Sequence, residues 1–277
     1  MAWSAPSTRA TGFLVTSTVW NQDCVSNPIA LRAGESAWGV EQTTVLTGSQ
    51  NDFSLSSIST YLRCNNATAL VFTGFTVAGA APPDGARVIV HNIGSSTVRV
   101  ADQDAGSTAA YRAIHPSTRG QIIGANGAIC YVYDTTTDRW RLEWVLPGSP
   151  ISVTYAAGDY TGSGTITWTV AEADVLRYAY YQIGKTLWIN SYTDATTVSG
   201  TGTQLRITLP NSFAIAGRNQ ARLAYVADNG TARAGLIQAD DAATYVFFNP
   251  DLVGGNWAAA TNATGTSTGG FVPYEVA

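Results

Sequence analysis

Two histidines are the first residues to ask about chemistry: His91 in VIVHNIG and His115 in AIHPST. An imidazole can serve as a general base only beside a nucleophile and a group that orients it. Neither histidine has such a neighbour in sequence, and no GxSxG, HExxH or GxxxxGK(S/T) run occurs. The closest carboxylates are Glu172 with Asp174 in VAEAD, and Asp240 with Asp241 in QADDAAT. Glycoside cleavage needs two carboxylates about 5 to 10 Å apart in a cleft, whereas these pairs sit in turn-like surroundings. Asp102, Asp104 and Gly106 in DQDAG have the alternation that opens a calcium loop, but the closing position is Ala113, which supplies no carboxylate. The stretch is expected to be a turn.

No catalytic residue, metal ligand or cofactor site is therefore expected. Cys24, Cys64 and Cys130 are odd in number, widely spaced and without a CxxC pair. They are expected to be small core hydrophobes in a reducing compartment. The 8 Trp and 13 Tyr are more telling, because aromatic faces stack on sugar rings and anchor interfaces. Trp168 and Trp188 fall at strand positions that suggest the core. Trp257, beside Asn256 in the loop-like GGNWAAATN, is the best candidate for exposure; capping the end of the jelly roll is its first reading, and contact with a ligand, together with Asn256, is the other.

These residues must be positioned by strands. TALVFTGFTV, ARVIVHNIG, TVRVAD, QIIGANGAICYVYD and RWRLEWVL are β-branched or aromatic runs separated by turns such as PPDG and TTTD. YVYDTTTDRWRLEW reads as one hairpin, YQIGKTLW as a second around Gly184-Lys185, and VADNGTAR as a third with the strong Asn229-Gly230 signal. LPGSP breaks the chain near residue 148. The expected fold class is all-β: two β-sandwich or jelly-roll-like domains, 46–148 and 149–277, preceded by an N-terminal anchor segment at 1–45. Within that segment LVTSTVWNQDCVSNPIAL reads as a two- to three-turn helix, with Val15 and Val19, and Trp20 and Cys24, each four apart. Asn27-Pro28 ends it. So short a helix is not stable alone and must dock on something. Residues 32–52 show no period and read as an arm.

Charged residues make up only 12% of the chain, about half the usual share, which leaves a neutral polar surface suited to packing against copies of itself. There is one Lys, Lys185, and no basic stripe, so nucleic acid is not an expected partner. No apolar run is long enough to span a bilayer and no signal peptide is evident, so no membrane insertion is expected.

Several stretches occur together in an order that is similar to tailed-bacteriophage virion proteins. YQIGKTLWINSYTDATTVSGTGTQLRITLP, ADNGTARAGLIQA, GGNWAAATNATG and GGFVPYEVA resemble the C-terminal jelly-roll domain of fibre, spike and head-decoration proteins. The span from NDFSLSSIST to DTTTDRWRLEW resembles the β-domain upstream of it. TGFLVTSTVWNQDCVSNPIAL is similar to the short attachment segment at the head of many such proteins, with Phe13 where Glu is usual. The resemblance implies a non-enzymatic structural subunit of the virion, assembled in the host cytoplasm. It also implies a homotrimer held on tail, portal or capsid proteins through Val15, Val19, Trp20, Cys24 and Leu31. A receptor- or glycan-binding tail protein serving host adsorption is the alternative, and a polysaccharide-degrading enzyme is the third reading.

Overall fold

The computed structural model describes residues 40–217, 220–266 and 270–277, and they are nearly all β. The only helical pieces among them are single 3₁₀ turns. None is long and apolar enough to cross a membrane. The expected anchor helix, with Val15, Val19, Trp20, Cys24 and Leu31, lies outside the described residues.

The first half of the chain winds in stacked coils. The first coil is β1 (Val40–Thr44), β2 (Gly48–Gln50) and β3 (Phe53–Leu55). The second repeats the path as β4 (Ser59–Cys64), β5 (Leu70–Phe72) and β6 (Phe75–Val77). The third begins with β7 (Arg87–Asn92) and β8 (Val98–Val100). Each strand pairs in parallel with its counterpart in the next coil: β1 with β4 and β4 with β7, β2 with β5 and β5 with β8, β3 with β6. This is the ladder of a short β-solenoid. Three further pairings close it. β9 (Ala113–Ile114), β10 (Gln121–Ile123), β11 (Ala128–Asp134) and β12 (Arg139–Leu146) follow; β10 lies antiparallel to β8, and β11 lies antiparallel to both β7 and β12. β9 runs parallel to β12 at the far edge.

Side chains alternate as a half-buried strand requires. Leu62 and Cys64 of β4 and Val88 and Val90 of β7 point inward, while Tyr61, Arg63, Ile89 and His91 are half-buried on the other face. Trp140, fully buried, fills the middle of this core. It packs edge-on to Phe75 and Tyr133 and donates its indole N–H to the Phe75 carbonyl at 2.9 Å.

Two expectations change here. The region read as a featureless arm supplies β1 and β2. The first β region is also not an antiparallel sandwich, since most of its ladders are parallel. The reason is physical: parallel partners are joined by long crossovers and leave no turn chemistry between them in sequence. The β11–β12 hairpin, with Asp134 opposite Arg139, is as the sequence predicts.

The second half is antiparallel throughout and built on one long strand. Its strands are β13 (Ile151–Ser152), β14 (Tyr160–Gly162), β15 (Thr167–Thr169), β16 (Val175–Ile183), β17 (Thr186–Ser199) and β18 (Leu205–Thr208). They are followed by β19 (Gln220–Asp228), β20 (Thr231–Ala239), β21 (Tyr245–Asn249), β22 (Thr261–Thr266) and β23 (Val272–Glu275). The ladder runs β13-β16-β17-β22-β19-β20-β21-β18-β14, and β15 and β23 also pair with β17. The sheet curls around a core that includes Trp168, Leu187, Ile189, Ile207, Phe213, Val226, Phe248 and Tyr274. Both predicted hairpins form. Ile183 faces Thr186, and Asp228 faces Thr231 across Asn229 (φ 52°) and Gly230 (φ 72°), the two left-handed residues of a type I′ turn.

Candidate functional site

The structure spends most of the sequence's reactive side chains on stability. His115 is buried, with its Nε2 3.2 Å from the Tyr131 hydroxyl. Burial holds its pKa down to about 3, so the ring is neutral at physiological pH. Asp102 lies nearby, but it accepts the His115 backbone N–H at 2.8 Å rather than an imidazole proton. No serine, threonine or cysteine hydroxyl or thiol shares a hydrogen bond with this imidazole among its described contacts, and the arrangement has the form of a satisfied core histidine. His91 faces outward from β7, with Nδ1 2.7 Å from the Tyr61 hydroxyl. Partial burial and then the Arg63 guanidinium keep its pKa below the usual histidine value.

The two described thiols are inert for the same reason. Cys64 and Cys130 are buried and free, and burial pushes each to about 12. Cys130 also donates to Glu143 Oε2 at 3.3 Å, which opposes thiolate formation. The carboxylates cap turns. Asp174 accepts the Ala171 N–H, Asp241 the Gly217 N–H, and Asp104 the Gly106 N–H two residues on. The DQDAG run is thus a turn, tied to Ala113 and His115 through Gln103 and Asp102. Among the described residues no three His, Cys, Asp or Glu side chains gather in a group that could hold a metal ion.

The exposure expected at Trp257, and with it the ligand contact, is corrected in favour of the capping reading. Its side chain is 3% exposed and donates its indole N–H to the Phe248 carbonyl at 3.2 Å, while its backbone N–H bonds the Gly202 carbonyl. A loop tryptophan with so much apolar surface is worth more capping the core than facing water. Asn256 beside it stays exposed. Other aromatic side chains do reach the surface, among them Trp144 and Tyr225. Trp188 is half-buried and stacked on Tyr181, its cross-strand partner, with rings 5.7 Å apart and 13° from parallel. Phe271 closes on Tyr181 at 4.8 Å. Ile183, 41% exposed, lies on the same strand as Tyr181.

The arrangement the sequence hid is the junction between the two halves. Gln121 of β10 and Gln182 of β16 are both fully buried, and each side chain binds backbone groups of the other's segment. Gln121 Nε2 donates to the Gln182 carbonyl at 2.8 Å, and Gln121 Oε1 accepts the Gly184 N–H at 2.9 Å. Gln182 Oε1 accepts the Ile122 N–H at 3.3 Å, and its Nε2 donates to the Gly120 carbonyl at 2.9 Å. Gly120 has φ 78°, and a Cβ there would fall 2.1 Å from the Val100 carbonyl oxygen; only glycine lets this loop pass. Ile122, between the two anchors, sits in the core of the second half, and Arg119 donates to the Ser212 carbonyl at 3.0 Å. Two amides desolvated together and saturated on both sides fix position sharply, because any slip leaves buried polar groups unpaired. The signal was present in sequence: a lone glutamine inside each of two apolar runs, RGQII and YYQIG.

Compared with known proteins, the chain matches no family model, and no curated protein is significantly similar to it.

Proposed function

We propose that the chain is a structural subunit of a tailed-bacteriophage particle, a fibre, spike or head-decoration protein. In this reading residues upstream of the coils attach it to tail, portal or capsid proteins, the β units project outward, and it works as a homotrimer in the virion without catalysing a reaction. The observation that carries the reading is the glutamine clasp. It joins a solenoid and a curled, jelly-roll-like sheet into one stiff body, as a projecting element requires, and His115, Cys64 and Cys130 are held in their uncharged forms by burial. The sparse charge fits a surface that packs against copies. Removing residues 1–31 is expected to leave a folded protein that no longer enters particles, read by gel and immunogold labelling of purified particles. Normal incorporation of the truncated chain would refute it.

A second reading has its own support. The outward Tyr181, Trp188 and Phe271 group is the kind of surface that stacks on sugar rings or a receptor during adsorption. Trp188→Ala is expected to abolish adsorption to host cells in that case, with thermal unfolding unchanged within a few degrees. Unaltered adsorption would rule that surface out.

A further inference from the structure

At the junction, beside the glutamine clasp, a cavity of about 220 Å³ opens between the two halves. Its floor is the outer face of the sheet formed by β2, β5, β8 and β10. There Val71, Arg99 and Ile122 stand side by side in register on neighbouring strands. Tyr180 of β16 and Asn211 come from the second half to form the opposite wall, and Thr97 lies at the side. The cavity thus exists only because the halves are clamped together, and junctions of this kind are where ligand sites concentrate.

Its polar groups are set but not spent. The Arg99 Nε–H is buried and has no hydrogen-bond partner. None of the described ion pairs involves Arg99, and no carboxylate lines the cavity. A buried guanidinium N–H without an acceptor is costly and calls for a partner. The one that matches its fork is a planar carboxylate. Asn211, held in the left-handed region (φ 51°), donates its side-chain N–H to the Tyr180 hydroxyl. That leaves the Asn211 carbonyl oxygen to accept from a hydroxyl group. Val71, with Ile122 beside Arg99, offers an apolar patch against which the carbon face of a ring can lie. The volume is below the roughly 300–1,000 Å³ of sites for drug-sized molecules, which suits one ring rather than a chain of them.

We infer that this junction cavity binds a single carboxylate-bearing sugar ring, such as a uronic acid residue at the end of a surface polysaccharide. Arg99 takes the carboxylate, and Asn211 with Tyr180 takes ring hydroxyls. The inference rests on the cavity and does not depend on how the protein is attached to a particle.

Isothermal titration of the full chain with glucuronate, glucose and acetate tests it. Glucuronate is expected to bind, and glucose and acetate to bind at least about tenfold more weakly, since each lacks half of the contacts. Arg99→Leu is expected to cost about tenfold or more. Arg99→Lys should recover only part of the loss, because an ammonium keeps the charge without the fork. Asn211→Gly, which tolerates the positive φ, should weaken glucuronate and leave acetate unchanged. Thermal unfolding of each variant reports whether it is folded. If Arg99→Leu is misfolded, the folded Asn211→Gly and Arg99→Lys variants decide. Absence of glucuronate binding, binding unaffected by Arg99→Lys and Asn211→Gly, or acetate binding as tightly as glucuronate would each overturn the inference.

Discussion

The two halves of this protein bury comparable cores by opposite means. The first stacks coils, so that β4 is held by β1 and β7, strands that are distant in sequence. The second folds back on itself, and β16–β17 and β19–β20 are each closed by a two-residue turn. In the first, register is set by which side chains enter the core; in the second, the turn chemistry sets it as well. The comparison shows why one chain can be easy to read in one half and opaque in the other. It also shows why the junction matters: among the described residues the solenoid and the curled sheet have no shared strand to connect them, so side chains do it.

The largest expected effect breaks the first half at its centre. Trp140→Ala removes the ring packed on Phe75 and Tyr133 and orphans the Phe75 carbonyl. It is expected to destabilise by about 3–5 kcal/mol in urea unfolding. If the halves are coupled, probes in the second half lose the same stability; an unchanged second half would show them to be independent.

Next comes the clasp. Gln182→Ala leaves the Ile122 N–H and the Gly120 and Gly184 carbonyls short of a partner, at a cost of about 2–3 kcal/mol. The double variant Gln121→Ala with Gln182→Ala should cost clearly less than the two single losses added together. Strict additivity would mean the two amides do not act as a pair.

A smaller effect distinguishes the halves by pH. Both histidines belong to the first half. His115 has a folded pKa of about 3 against about 6.5 when unfolded. The unfolded chain therefore takes up the proton first as pH falls. Stability from this group is complete above about pH 6.5 and declines toward pH 3, by about 2 kcal/mol between pH 7 and pH 5. His91, shifted the same way, adds a loss of the same sign. Urea midpoints at the two pH values check this, and His115→Gln should remove most of the slope. A stability that rises on acidification to pH 5 would contradict the neutral, buried assignment.

The smallest effect tests the second half's turn chemistry. Gly230→Ala forces a Cβ into φ 72° and is expected to cost about 1 kcal/mol. An equal loss at Gly158, which has no positive φ, would mean that the turn geometry is not the cause.

What the sequence made legible follows the same division. The three hairpins at Gly184-Lys185, Asn229-Gly230 and Thr135–Asp138 were readable because turn residues and alternation lie next to each other. β1 and β2 were not, since Val40–Thr44 gains its place only from Thr60–Cys64 across a parallel ladder. The site fared similarly. Cys64 and Cys130 could be read as small core residues because nothing in their spacing pairs them, and Trp257 proves to cap the core, although its glycine-flanked loop made it the best candidate for exposure. Gln121 and Gln182 stood out only as polar residues in apolar runs. Their partnership depends on two strands about sixty residues apart meeting face to face.

Through the glutamine clasp these unlike halves behave as one body. Differential scanning calorimetry of the full chain tests it. The prediction is a single transition whose calorimetric and van't Hoff enthalpies agree, resolving into two in the Gln121→Ala, Gln182→Ala variant. Two separate transitions in the unaltered protein would contradict it.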